Sequence, residues 1–299
     1  MPLLTIHHKT KYRYARPVAF GEHRIMLRPR DGHDLRVLES RLDITPAPML
    51  LRWIHDEFGN SVAIATFDER AQTLTFTSTV TVEHNPEEEF ALTPDDQAYF
   101  YPFLYYAEEF PDLRQYITPQ YTDPNGELSA WARNFLDAEA PTPTFKILAG
   151  MTHGIRNAFS YRKRHEPGTQ HPLDTLQTGS GTCRDYALLM IEALRRLGIA
   201  ARFVSGYLFM PDDGDHSGGG STHAWVQVYL PSAGWIEFAP TNGITGSRDL
   251  LRVAVARDPR QAIPLHGTYL GPAEAFVDME VNINVTSIDQ PRQEVAAEA

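Results

Sequence analysis

The chain has 299 residues, 42% apolar and 22% charged, close to the roughly 45–50% and 25% of a packed globular protein and unlike a disordered one. Its 38 acidic and 27 basic side chains leave a formal charge of -11, which repels phosphate backbones and excludes nucleic acid as a first choice of partner. No run approaches the roughly 18 apolar residues of a membrane span, and the apolar stretch that opens the chain is too short for a secretory signal, so a cytoplasmic protein with no membrane partner is expected.

From residue 1 to about 83, apolar and polar side chains alternate with the period of two of half-buried strands. Ile6, His8, Thr10, Tyr12 and Tyr14 share one face, Leu38, Ser40, Leu42 and Ile44 a second, and Leu74, Phe76, Ser78, Val80 and Val82 a third. Asp56-Glu57-Phe58-Gly59-Asn60 carries turn residues just before the strand-like Val62–Phe67, which predicts a hairpin. The pattern predicts an antiparallel β-sandwich over residues 1–95. Lys11-Tyr12-Arg13-Tyr14 interleaves basic and aromatic residues as a single-strand binder does, but alternation alone produces the same pattern.

The composition then turns to proline, acid and aromatics, including Glu87-Glu88-Glu89, and residues 96–126 are read as a connector. Residues 127–299 are expected to form an α+β core. Within it, Leu128–Ala138 is a short helix candidate, and Phe145, Leu148, Thr152, Ile155 and Phe159 trace one face of a longer helix. Cys183–Leu197 has a broad apolar stripe, with Gly198 placed to end it. Strands are predicted at Ala200–Leu208, Thr222–Leu230 and Trp235–Phe238.

The chain's only cysteine, Cys183, rules out an intrachain disulfide and a zinc site of paired thiolates. It lies where the glycine-rich Gly179-Ser180-Gly181-Thr182 meets the longest predicted helix. Unpaired backbone N–H groups and the helix dipole favour a thiolate there and can hold an oxyanion, so a reactive thiolate is expected. Thr222-His223-Ala224-Trp225 offers downstream an imidazole that can take the thiol proton. Asp212-Asp213-Gly214-Asp215-His216 lacks the terminal glutamate of a calcium loop and reads as a polar lid, and no metal or cofactor motif is present.

In order and spacing, Gly181-Thr182-Cys183-Arg184-Asp185-Tyr186, Arg195-Arg196-Leu197-Gly198-Ile199, His223-Ala224-Trp225-Val226 and Trp235-Ile236-Glu237-Phe238-Ala239-Pro240-Thr241-Asn242-Gly243 resemble the bacterial transglutaminase-like family. His8-Lys9-Thr10-Lys11-Tyr12 and Asp56–Asn60 resemble the β-rich domain that often precedes its core. The resemblance implies a papain-like core acting on amide or isopeptide bonds of peptides or proteins. Its Cys-His-Asp triad would take Cys183 and His223, but Ala239 stands where the family has the aspartate. That leaves a bare dyad, Glu237 two residues back on the same strand face, or Asn242 in a papain-like Cys-His-Asn arrangement. Gln177 and Thr182 are candidates for oxyanion or substrate contacts, while Asp185 and Trp225 are expected to be structural, at the helix start and beneath the site. Hydrolysis is the favoured outcome, with transamidation or non-catalytic peptide binding as alternatives.

Overall fold

The structure, a computed structural model, describes residues 2–86, 92–93, 96–139, 141–162, 168–209 and 221–288. The acidic run at 87–89 and the loop at 212–216 lie outside these residues.

The alternating half forms β1 (Leu3–Ile25), β2 (Leu35–Thr45), β3 (Leu50–His55), β4 (Ser61–Thr66) and β5 (Arg70–His84). They run in the order β2-β5-β1-β4-β3 in one antiparallel sheet. The long β1 pairs with β5 along its first part and with β4 near its end, so a single curled sheet encloses apolar side chains. Leu74, Phe76, Ser78, Val80 and Val82 are all buried, as their alternation predicts. Leu38 departs from its predicted face: an irregularity in the β2–β5 register between Val37 and Glu39 shifts the phase by one residue and leaves it exposed. The predicted hairpin joins β3 to β4. Asp56 Oδ1 accepts from the backbone of Phe58 and Asn60, and Gly59 takes the positive φ (71°) the turn requires.

The middle of the chain supplies β6 (Phe100–Tyr101), α1 (Phe110–Ile117), α2 (Glu127–Arg133), β7 (Thr142–Pro143), α3 (Thr144–Ala158), β8 (Ser160–Tyr161), α4 (Pro172–Thr178), β9 (Ser180–Gly181) and α5 (Cys183–Arg196). In α3 the buried face is Ile147, Leu148, Met151, Thr152 and Ile155, with Phe145 exposed. Helix α5 is buried from Asp185 to Arg195 and forms the spine of the core. It ends in a Schellman arrangement: Ile199 N donates to Leu194 O, Gly198 N to Arg195 O, and Gly198 has φ 77°. α5 packs on an antiparallel sheet of order β13-β12-β11-β10-β14, made of β10 (Ala201–Leu208), β11 (Ser221–Leu230), β12 (Gly234–Ala239), β13 (Ile244–Thr245) and β14 (Leu250–Ala256).

The last strands, β15 (Leu265–Leu270) and β16 (Phe276–Ile288), return to the first sheet and pair with β1. The expected division gives residues 127–299 to the core, but backbone pairing assigns 265–288 to the N-terminal sheet. One apolar cluster runs from Leu4, Ile6, Val80 and Val82 into Met190, Leu194 and Val226, so the two halves share a core. Polar contacts fix their docking: the Asn60 side chain exchanges two hydrogen bonds with the Val255 backbone, and buried His8 Nδ1 lies 2.9 Å from Tyr207 Oη.

Candidate active site

Cys183 is the first residue of α5, and the cap that creates this position is local. Thr182 donates from its backbone N (2.8 Å) and its hydroxyl (2.9 Å) to Asp185 Oδ2, and Gln170 N donates to Asp185 Oδ1 (2.6 Å). Asp185 is thus structural, as expected, and the Thr182 hydroxyl serves the cap. Ahead of it, β9 pairs in parallel with β8, and Arg162 N donates to Gly181 O (2.9 Å). That pairing brings Tyr161 near the cysteine, whose charge would raise the pKa of the tyrosine hydroxyl, though burial raises it more.

The thiol also meets the core sheet. The backbone N–H groups of Ala224, the residue after His223, and of Arg184 lie near enough to the sulfur to favour its thiolate. The start of α5 thus lies against the segment of β11 that begins with His223. Directly across from His223 lies Gly206 on β10, where an added Cβ would sit 2.6 Å from Trp225 Cη2. The Trp225 ring, fully buried, lies nearly parallel to the imidazole, with centroids 6.0 Å apart. This is the structural place expected of Trp225.

Burial dominates the electrostatics. It holds His223 down at about 4, so the imidazole is neutral near pH 7 and has a lone pair available. It also pushes the Cys183 thiol up, against the N–H groups of Ala224 and Arg184 and the Arg184 charge, which favour the thiolate. Burial of the thiol thus works against the thiolate that the helix terminus favours. Iodoacetamide labelling of the folded protein should be slower at pH 7 than that of an ordinary thiol and should still be accelerating at the pH where an ordinary thiol levels off. A labelling rate already level at pH 6 would show a preformed ion pair instead.

The missing acid leaves a visible trace. His223 Nε2 is buried and has no hydrogen-bond partner among the described residues. Ala239 lies fully buried in an apolar cluster with Val204, Leu208 and Trp225. Glu237 is buried on β12, but its carboxylate accepts from Trp225 Nε1, Gln227 Nε2 (2.7 Å) and Arg252 Nη1 (2.9 Å). It holds the ring beneath the imidazole rather than the imidazole itself. Asn242 Oδ1 is likewise buried without a partner, and its backbone carbonyl accepts from Arg156. Gln177 turns to Glu127, donating at 2.9 Å. Glu237→Gln should therefore lower stability by about 1–3 kcal/mol, because Arg252 loses a charged acceptor, while changing kcat less than about 3-fold. Paired unfolding and kinetic measurements check this; a 10-fold fall in kcat with stability kept would make Glu237 the acid's replacement.

Residues 4–83 match the model of the bacterial transglutaminase-like N-terminal region, and residues 130–240 match that of the transglutaminase-like superfamily. An uncharacterized protein of Mycobacterium tuberculosis is 30% identical over 292 residues, spanning 92% of this chain and 90% of that protein. A protein-glutamine gamma-glutamyltransferase of Pseudomonas aeruginosa is 35% identical over 79 residues, 24% of this chain and 11% of that protein. Among solved structures, a proposed cysteine protease from Cytophaga hutchinsonii superposes with a TM-score of 0.70 at 20% identity, covering 97% of this chain and 92% of that one. With its α+β papain-like fold, the chain belongs to the transglutaminase-like superfamily.

Proposed function

We propose that the chain is a thiol-dependent acyl-transfer enzyme that cleaves amide or isopeptide bonds of a peptide or protein, with water as the acyl acceptor. The observation that carries this reading is the place of Cys183 at the N-terminus of α5, with the backbone N–H of Ala224, the residue after His223, near enough to favour its thiolate. In the first step Cys183 Sγ attacks the carbonyl carbon while the neutral imidazole takes the thiol proton. Backbone N–H groups at the start of α5 face the developing oxyanion. The imidazolium then protonates the leaving amine, the C–N bond breaks, and a thioester remains on Cys183. Water, deprotonated by the same imidazole, attacks the thioester to release the acid and restore the thiol.

Water is favoured as acceptor because it is always present, whereas transfer to an amine requires a site that excludes it. A second reading, a peptide-binding protein without turnover, draws on Ala239 and on the unpartnered Nε2. Mass spectrometry after incubation with a peptide library separates them. A thioester-mass adduct on Cys183 with cleaved peptide supports the enzyme, and bound but intact peptide supports the binder. Incorporation of an added primary amine into the product would identify transamidation.

A further inference from the structure

The face of the core sheet turned away from α5 is apolar near Val204, Leu208 and Trp225 and polar beyond them. There, between β10, β12 and β14 and the Arg30–Asp34 segment of the N-terminal half, lies a cleft of about 390 Å³. Three guanidinium groups line it, in a protein whose net charge is -11. Two are accounted for. Arg252 donates from Nη1 to Glu237 (2.9 Å) and from Nη2 to Asp34 (3.1 Å). Arg30 donates from Nη1 to Phe58 O (3.0 Å) and to Asn60 Oδ1 (2.8 Å), which ties down the hairpin turn.

Arg202 is different. Its Nε donates to Gln227 Oε1 (2.8 Å), and its guanidinium carbon lies 3.9 Å from the centroid of the Trp235 ring. Among the described residues no carboxylate lies within ion-pair distance of it, and its two Nη groups make no hydrogen bond. Burial presses its pKa down to about 10, the sign of a cation whose water has been taken away without a full replacement. Stacking on an aromatic face recovers part of that loss. It also clamps the guanidinium plane and leaves its donor edge free. A clamped planar fork is the geometry that receives a carboxylate or phosphate through two parallel hydrogen bonds.

We propose that this cleft binds a small oxyanion-bearing molecule, its carboxylate or phosphate group held by the Nη edge of Arg202 with Arg30 beside it. The volume lies within the range of small-molecule sites, so the ligand has room for more than the bare anionic group. Of the carboxylates that line the cleft, Asp34 and Glu237 make their ion pairs with Arg252 and Asp31 accepts from Val37 N, so Glu237 acts on Arg202 only through its charge. The proposal is independent of the thiol chemistry.

The test uses the full chain at constant ionic strength, with chloride as the balancing anion, and titrates inorganic phosphate and citrate separately. Because Arg202 lies on Trp235, tryptophan emission reports occupancy, and Trp235→Phe identifies the reporting ring. A saturable change with phosphate alone assigns a phosphate group, with citrate alone a carboxylate, and with both an oxyanion site of either kind. Arg202→Gln should weaken binding at least 10-fold. Arg202→Lys, which keeps the charge and loses the planar fork, should weaken it several-fold and covers the case in which the glutamine variant does not fold. The absence of a saturable response to either anion in the parent protein, or an unchanged affinity in a folded Arg202 variant, overturns the proposal.

Discussion

Replacing His223 with alanine should lower kcat on a peptide substrate by roughly 10³-fold or more, and Cys183→Ala should abolish both turnover and the covalent adduct. The expected effect is large because the resting pair is neutral. Burial raises the thiol and lowers the imidazole, so very little thiolate is present near pH 7 and attack requires proton transfer within the site. Without His223, that proton must leave by another route. Hydroxide-dependent ionisation then remains, and the residual activity of His223→Ala should climb with pH where the parent's does not. The Cys183→Ala protein should still bind peptide, since the cap at the helix start rests on Thr182 and Asp185 rather than on the sulfur. Undiminished turnover in Cys183→Ala would overturn the thiol mechanism. A parent protein that binds peptide with the same affinity as Cys183→Ala and turns nothing over would establish the binding-only reading.

What the sequence made legible follows from how local each signal is. Helix α5 declares itself through a cap, a stripe and a terminal glycine, all within 17 residues, and its observed span of Cys183–Arg196 differs from the predicted one by a single residue. The alternation of β5 holds without interruption, whereas Leu38 is misplaced because one extra residue in β2 leaves no mark in the pattern of apolar residues. Nor does alternation reveal partners. β16 alternates like any strand, and only its pairing with β1, more than 260 residues away in the chain, removes residues 276–288 from the core. Burial of charge was equally hidden. Glu192 and Arg195 lie fully inside, where they pair with each other at 2.9 Å and bind backbone groups of the connector and of β10. In one dimension they look like the solvated side of an amphipathic helix. Cys183 and His223 are proposed as the site through motif and spacing. Tyr161 was missed, since a two-residue strand carries no periodic signal. Glu237 had the right chemistry and strand face for an acid, but the choice between His223 and Trp225 as its partner depends on the third dimension.

Installing the family's carboxylate should turn the orphaned imidazole nitrogen into a paired one. Ala239→Asp places an acid in the apolar cluster of Val204, Leu208 and Trp225, on the sheet face that carries His223. The extra volume and the buried charge together cost stability, about 1–3 kcal/mol from overpacking alone. In return, an acid beside Nε2 favours the imidazolium, so the pKa of His223 should rise from about 4. The sign for catalysis follows. As the imidazolium becomes easier to form, proton transfer from Cys183 becomes less uphill, and kcat should increase by about 10- to 100-fold, below the roughly 10⁴-fold effect of the acid in serine triads because the surroundings are shaped for alanine. The acidic limb of kcat/KM should move upward in pH, since the base is then lost to protonation nearer neutrality than in the parent. The effect on stability keeps its sign and changes its size. In the parent the depressed histidine makes folding less favourable as pH falls from about 6.5 towards 4, and in the variant the paired histidine should lessen that loss. Unfolding and steady-state kinetics between pH 4 and 9 measure both effects. A folded Ala239→Asp protein with the parent's kcat and an unmoved acidic limb would mean that position 239 does not reach His223, and that the thiol and imidazole work as a dyad in which no carboxylate has a place.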